Sequence, residues 1–222
     1  MNNNFEYWKR VMDVNILKTV TSKLNVEYKT LEVCPSIQYN VFKTFKLCPY
    51  KDLKVVMIGQ DPYPQKDVAT GIAFGNSRNT TEEELSPSLQ IIKEAAINYE
   101  LNHNAYYFDN SLEDWCKQGV LLLNSALTCR VGQPNSHLLL WRPFISKLLF
   151  NLSMNNPGLI YVLFGSTAKT FKPYINKGHI IEIEHPAWFI RNGKKMPSEL
   201  FVNINKLVKQ YFDTTIEWYR EI

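Results

Sequence analysis

The sequence predicts an α/β fold: a central four-stranded parallel twisted sheet with helices on both faces, in one domain spanning residues 1–222. Three observations lead there. Four apolar runs, at 55–58, 120–123, 159–164 and 180–183, are continuous rather than alternating, as in strands buried on both faces. Segments with helical spacing lie between them, and strands alternating with helices imply a parallel sheet covered on both sides. Each run also stops at a glycine or a polar residue, and open α/β sheets bind ligands outside the carboxyl ends of their strands.

The elements can be justified in order. Residues 1–50 read as mixed helix and loop, with Trp8, Val11, Val14 and Leu17 at helical spacing. After the first strand, Ser86-Pro87-Ser88-Leu89 reads as an N-cap with proline in the first turn. Leu89, Ile92, Ala95 and Ala96 follow on one face. A helix over 141–154 carries Phe144, Leu148 and Leu152, and a short one follows Ser166. The last starts near Ser198, with Leu200, Ile204, Leu207, Val208 and Tyr211 as its core stripe. Segments 76–84 and 101–114 read as surface loops.

Composition narrows the class. With 222 residues, 45% hydrophobic and 21% charged, the chain has the material for one sizeable core. A net charge of +4 fits a polyanionic partner without requiring one. The four cysteines, Cys34, Cys48, Cys116 and Cys129, lack zinc or iron–sulfur spacing, so no metal or other cofactor is expected. No secretion signal or membrane-spanning run is seen, so the chain is expected inside the cell, with reduced thiols.

The chemistry gathers at the strand ends. The first gives Gln60, Asp61 and Tyr63, the second Asn124, the third Gly165-Ser166 and the fourth His185, with Phe74 just beyond the first. Each has a commonplace reading: Asp before Pro forms turns, Asn caps strands, a lone His is usually structural, and Phe is usually core. Together, at one edge of one sheet, they suit a crevice for a nucleobase. An amide reads a base edge, an aromatic ring stacks on its face, a carboxylate positions water, and an imidazole donates to an oxygen gathering charge. No phosphate-binding glycine–lysine loop and no Ser–His–Asp or Cys–His spacing is present.

Gly59-Gln60-Asp61-Pro62-Tyr63, Gly71-Ile72-Ala73-Phe74, Ser86-Pro87-Ser88-Leu89, Leu121-Leu122-Leu123-Asn124, Asn135-Ser136-His137, Gly165-Ser166 and His185-Pro186, in this order, closely resemble the main family of uracil-DNA glycosylases. The resemblance covers nearly the whole chain. It implies hydrolysis of the N-glycosidic bond of uracil in DNA, leaving an abasic site and initiating base excision repair. By that resemblance, Asp61 positions the water and His185 hydrogen-bonds the departing base. Asn124 holds the uracil edge, Phe74 stacks on it, Tyr63 excludes the thymine methyl, and Gln60 belongs to the same loop. Ser86, Pro87, Ser88, Gly165 and Ser166 would grip the DNA backbone. Phe189, four residues after His185, would fill the vacated stack, with Arg191 nearby on the DNA. The implied partner is uracil-containing DNA, single- or double-stranded, so the chain is expected in the cytoplasm or wherever its DNA resides. A proteinaceous uracil-glycosylase inhibitor or a replication partner is a further candidate, and a monomer is expected.

The chain departs from the family pattern in three places. Pro64 replaces the histidine that usually follows the tyrosine. Ala187 and Ile190 stand where serines usually contact phosphate, leaving the grip to Arg191, Lys194 and Lys195. Trp188-Phe189-Ile190 is an unusually apolar tip for a DNA wedge or a partner. These departures keep open a second class, a DNA-binding replication accessory protein with little or no glycosylase activity. Retention of Asp61, Tyr63, Phe74, Asn124 and His185 argues against it, because binding alone needs no water-positioning acid. A glycosylase of broader base range is disfavoured by Tyr63 and Asn124.

Overall fold

In the computed structural model, which describes residues 4–98 and 104–222, four parallel strands form the central sheet. They are β1 (Val55–Gly59), β2 (Val120–Asn124), β3 (Ile160–Phe164) and β4 (His179–Ile183), in the spatial order β2-β1-β3-β4. The first three are buried at every position. That is why their sequences are unbroken Val, Ile, Leu, Met, Phe and Tyr up to the last residue. β4 lies at the edge and is only half-buried, and its Glu182 is exposed. Glu182 pairs there with Lys172.

The register is what places the site. Val55 pairs with Val120 and Ile160, and the ladder runs on to Ile58 opposite Leu123 and Leu163. Gly59 then faces Asn124, while Phe164 faces Ile183 on the outer pair. All four carboxyl ends therefore open on one edge, and the segments after them share one crevice.

Helices surround the sheet: α1 (Val14–Thr30), α2 (Pro87–Ile97), α3 (Leu138–Asn155), α4 (Gly165–Lys169), α5 (Pro186–Arg191) and α6 (Glu199–Phe212). α2 packs on α5 and α6, and α6 lies against β3. One continuous apolar core joins them, built around residues such as Trp8, Phe45, Trp141, Phe144 and Phe164. Among the described residues no helix is long and apolar enough to cross a membrane.

Several local expectations need correction. The first helical pattern is interrupted: a short turn at Asn4–Trp8 buries Trp8, and α1 starts only after Asp13. The Asp13 carboxylate caps the amides of Asn15 and Ile16, which leaves Val14 44% exposed rather than in the core. Ser86 sits at the N-cap of α2 but does not cap it, because its hydroxyl accepts a hydrogen bond from Asn76 Nδ2. On α6, Leu200, Ile204 and Val208 are buried, whereas Tyr211 is exposed and lies over His179. The 101–114 segment is not all loop. It holds Tyr106–Tyr107, paired with Arg220–Glu221, and the start of the Glu113–Lys117 helix, while 101–103 lies outside the described residues.

Gly59 is the position where the register leaves no room. A Cβ there would meet Asn124 Oδ1 at 2.7 Å and Phe74 Cζ at 2.9 Å. Gly59→Ala should therefore destabilise the protein by ~1–3 kcal/mol, the range for overpacking a close-packed site. Chemical denaturation measures this, and an unchanged midpoint would mean that Asn124 and Phe74 move aside freely.

Candidate active site

A cavity of about 170 Å³ opens at the carboxyl edge of the sheet. Gln60, Asp61, Tyr63, Phe74, Asn124 and His185 all line it, so the six base-site candidates read from the sequence converge on one space. Ser88 and Pro64 also face it, as do Ile72 and Pro134, which the sequence reading did not single out.

Asp61 follows directly from β1. Its Oδ2 accepts the backbone N–H of Asn135, while Oδ1 is buried without a partner among the described residues. A buried, unpaired carboxylate oxygen is costly and calls for an explanation. Burial raises the Asp61 carboxyl above its ordinary 3.8, and the Asn135 amide, His137 and Gln60 pull it back in part. The Gln60 side chain reaches the same loop, donating from Nε2 to Asn135 Oδ1 at 2.9 Å. Asn135 has a φ of 66°, a left-handed conformation that asparagine tolerates better than most residues. Its part in holding Asp61 spans 74 residues of sequence, and no local pattern announces it.

Phe74 holds the apolar face. It has a φ of 67°, a rare value for a bulky residue, and strain of this kind concentrates at sites where the surroundings enforce it. The ring is 8% exposed and packs edge-on against Phe164, with centroids 5.0 Å apart. The Tyr63 hydroxyl donates to the Phe74 carbonyl oxygen at 2.8 Å, which ties the tyrosine ring to the same loop. Burial pushes the Tyr63 hydroxyl pKa well up, so it stays a neutral donor.

His185 begins α5. Its Nδ1 accepts the N–H of Ala187 at 3.2 Å, an N-cap made by an imidazole. That bond leaves the ring proton of the neutral form on Nε2. Burial, with a contribution from the Arg191 charge, holds the His185 pKa below its ordinary 6.5. Gly165, at φ 79°, lets the His185 backbone and Cβ approach, since a Cβ there would stand 2.8 Å from His185 Cβ.

The DNA-side candidates are more scattered. Ser86 is half-buried, Pro87 is exposed and Ser88 is buried against the cavity, while Gly165 is buried and Ser166 exposed. The wedge expectation fits Phe189 poorly. It is 8% exposed and packs in the core beside Trp188. Pro186 and Phe189, three residues apart, form the buried face of α5. Ile190, 42% exposed, and Arg191 face out instead. Among the described residues no group of three or more His, Cys, Asp or Glu side chains gathers as a metal-holding set.

The buried carboxylate leads to a stability test. A carboxyl raised by folding contributes its stability below the unfolded pKa, and that contribution is lost as pH rises through the folded value. At neutral pH the Asp61 charge therefore works against the fold, and Asn can still accept the Asn135 amide. Asp61→Asn should raise Tm at pH 7, and a lower Tm would contradict the assigned electrostatics.

Comparison with known proteins agrees with this geometry. Residues 45–209 match the model of the uracil DNA glycosylase superfamily. A uracil-DNA glycosylase of Fusobacterium nucleatum is 33% identical over 96% of this chain and 95% of its own length. One from Mycoplasmopsis pulmonis is 36% identical over 88% of this chain and 86% of its own. Among solved structures, a mimivirus UNG variant in complex with UGI superposes with a TM-score of 0.81 at 26% identity, covering 98% of this chain and 88% of that one. The Nitratifractor salsuginis UNG gives a TM-score of 0.66 at 25% identity, covering 89% and 90%. With a family match over most of its length and relatives above 30% identity across nearly all of it, the chain belongs to the uracil-DNA glycosylase superfamily.

Proposed function

We propose that this chain removes uracil from DNA by hydrolysing its N-glycosidic bond, with Asp61 and His185 as the reacting pair and no metal. The observation that carries the reading is that an unpartnered carboxylate oxygen, a neutral imidazole and a base-reading amide line one cavity. The Asp61 oxygen has the free lone pairs to hold a water, and its charge favours the positive charge that builds on the sugar as the bond breaks. Sugar hydrolases normally use two carboxylates, one of them to protonate the leaving group. Uracil leaves as a delocalised imide-type anion, so a hydrogen bond from His185 Nε2–H to its O2 replaces full protonation. The Nδ1 bond to Ala187 keeps that donor pointed in the required tautomer.

Recognition follows from the other three side chains. Asn124 meets the O4 and N3 edge, and cytosine's amino group would leave that amide mispaired. Sites that read a polar edge can discriminate by ~10⁴–10⁵. Phe74 stacks on the ring. Tyr63, fixed by its bond to the Phe74 carbonyl, blocks the space of the thymine methyl. The base must be flipped out of the stack to arrive there, at a cost of ~2–4 kcal/mol. Ser86, Pro87, Ser88, Gly165, Ser166 and Arg191 are the proposed backbone grip. Ile190, the exposed apolar residue of α5, suits the filling of the vacated stack better than buried Phe189.

Matched oligonucleotides carrying U, T or C, incubated with the protein in EDTA, test the reading. Alkali-labile scission at U alone is expected, whereas tight binding without base release would favour the accessory reading. Tyr63→Ala should admit thymine, and an unchanged preference for uracil would remove the steric filter. Activity needs Asp61 charged and His185 neutral. Its acidic limb should therefore fall above the ordinary 3.8 of aspartate. A limb at or below that value in a pH profile of kcat/KM would contradict the assigned pair.

A further inference from the structure

We propose that Glu27, on α1 and outside the cavity, is a positioning residue for Asp61, acting through the 128–137 segment; this rests on the glycosylase reading above. The Glu27 carboxylate fastens both ends of that segment. Its Oε1 accepts from Arg130 Nη2 at 2.9 Å, and its Oε2 accepts from Arg130 Nε at 3.0 Å. The same Oε2 lies 2.8 Å from His137 Nε2. His137 is 2% exposed, and its other nitrogen, Nδ1, lies 2.8 Å from Thr128 Oγ1. The Glu27 carboxylate can only accept, so its contact with His137 needs a proton on Nε2, and Thr128 Oγ1, which accepts from Trp141 Nε1 at 2.7 Å, then donates its own proton to Nδ1. The His137 proton then sits on Nε2 and points at Glu27. Every polar atom of this run, from Trp141 through Thr128 and His137 to Glu27, thus has a partner. Fully satisfied buried networks of this kind are rigid.

The first end is also held by backbone, since Cys129 and Arg130 pair with Cys34 and Val33 and the Val131 N–H donates to the Glu32 carbonyl, whereas the turn beyond it rests mainly on its own hydrogen bonds. Residues 132–136 are all exposed. The Arg130 N–H donates to Ser136 Oγ, the Gln133 N–H to the Arg130 carbonyl, and the Gly132 N–H to the Pro64 carbonyl. Asn135, near the top of this loop, is the residue whose N–H meets Asp61 and whose side chain meets Gln60. A shift at either end moves that N–H away from the carboxylate. Glu27 is held charged chiefly by its hydrogen bonds from Arg130, so the fastening persists at working pH. Among the described residues, the titratable groups around Asp61 are His137 and Cys129 on this segment and Tyr63 and His185 in the cavity. Glu27 reaches Asp61 only through the segment.

The test compares wild type with Glu27→Ala, Glu27→Gln and Arg130→Gln for uracil release from a uracil-containing oligonucleotide, across pH, with Tm measured in parallel. Glu27→Ala should lower kcat by up to ~10²-fold, the scale of an ångström-level misplacement, with KM unchanged. Its acidic limb should move to higher pH, because Asp61 loses the N–H that favours its charge. Glu27→Gln, which still accepts from His137, should recover part of the rate. If Glu27→Ala does not fold, Arg130→Gln, altering a side chain already 38% exposed, should show the same loss and the same limb shift. A fall in Tm with kcat and the acidic limb both at wild-type values, in whichever variant folds, would overturn the proposal. Absence of uracil release by the wild type would instead overturn the reading beneath it.

Discussion

The absence of a side chain at position 59 is the constraint on which the site depends. Parallel pairing brings the last residue of β1 beside Asn124, and a residue with a Cβ there would displace both Asn124 and Phe74. Without one, the amide that reads an edge and the ring that covers a face reach the same small space. A second glycine, Gly165, performs the same service for His185 at the end of β3. The cavity is thus made by strand ends approaching more closely than ordinary side chains allow. Rigid strands fix those ends to within the tolerance that chemistry needs.

The electrostatics of the cavity follow from how these groups are held. Asp61 is desolvated yet keeps one oxygen on the Asn135 amide, so it is a carboxylate with one committed and one open oxygen. His185 is desolvated, lies near the Arg191 charge, and has Nδ1 engaged by its own helix, so it is a neutral donor of fixed tautomer. One environment destabilises both charged forms, but the roles it leaves are different. The acid is placed to attract positive charge, and the imidazole to meet negative charge without carrying a full proton. That division suits a leaving group able to depart as an anion.

Much of this was legible in the sequence, for identifiable reasons. Buried parallel strands write themselves as unbroken apolar runs, and all four appear within a residue of their expected limits. Strand ends at a common edge bring their following residues together, which is why Asp61, Asn124 and His185 could be grouped. What stayed hidden depended on contacts distant in sequence or on backbone angles. The hold of Asn135 on Asp61, the left-handed Phe74 and the engagement of Ser86 by Asn76 have no local signature. Phe189 was different, because a signal was present. Its spacing from Pro186 marks the inward face of a short helix, and reading the segment as an exposed tip passed over that periodicity.

The most direct test is a crystal structure of the Asp61→Asn variant bound to an oligonucleotide with a single uracil. The account expects the base extruded into the cavity, its face on Phe74, its O4–N3 edge on Asn124, and His185 Nε2 within hydrogen-bond distance of O2. A uracil still stacked in the strand, or bound with that edge turned away from Asn124, would contradict it.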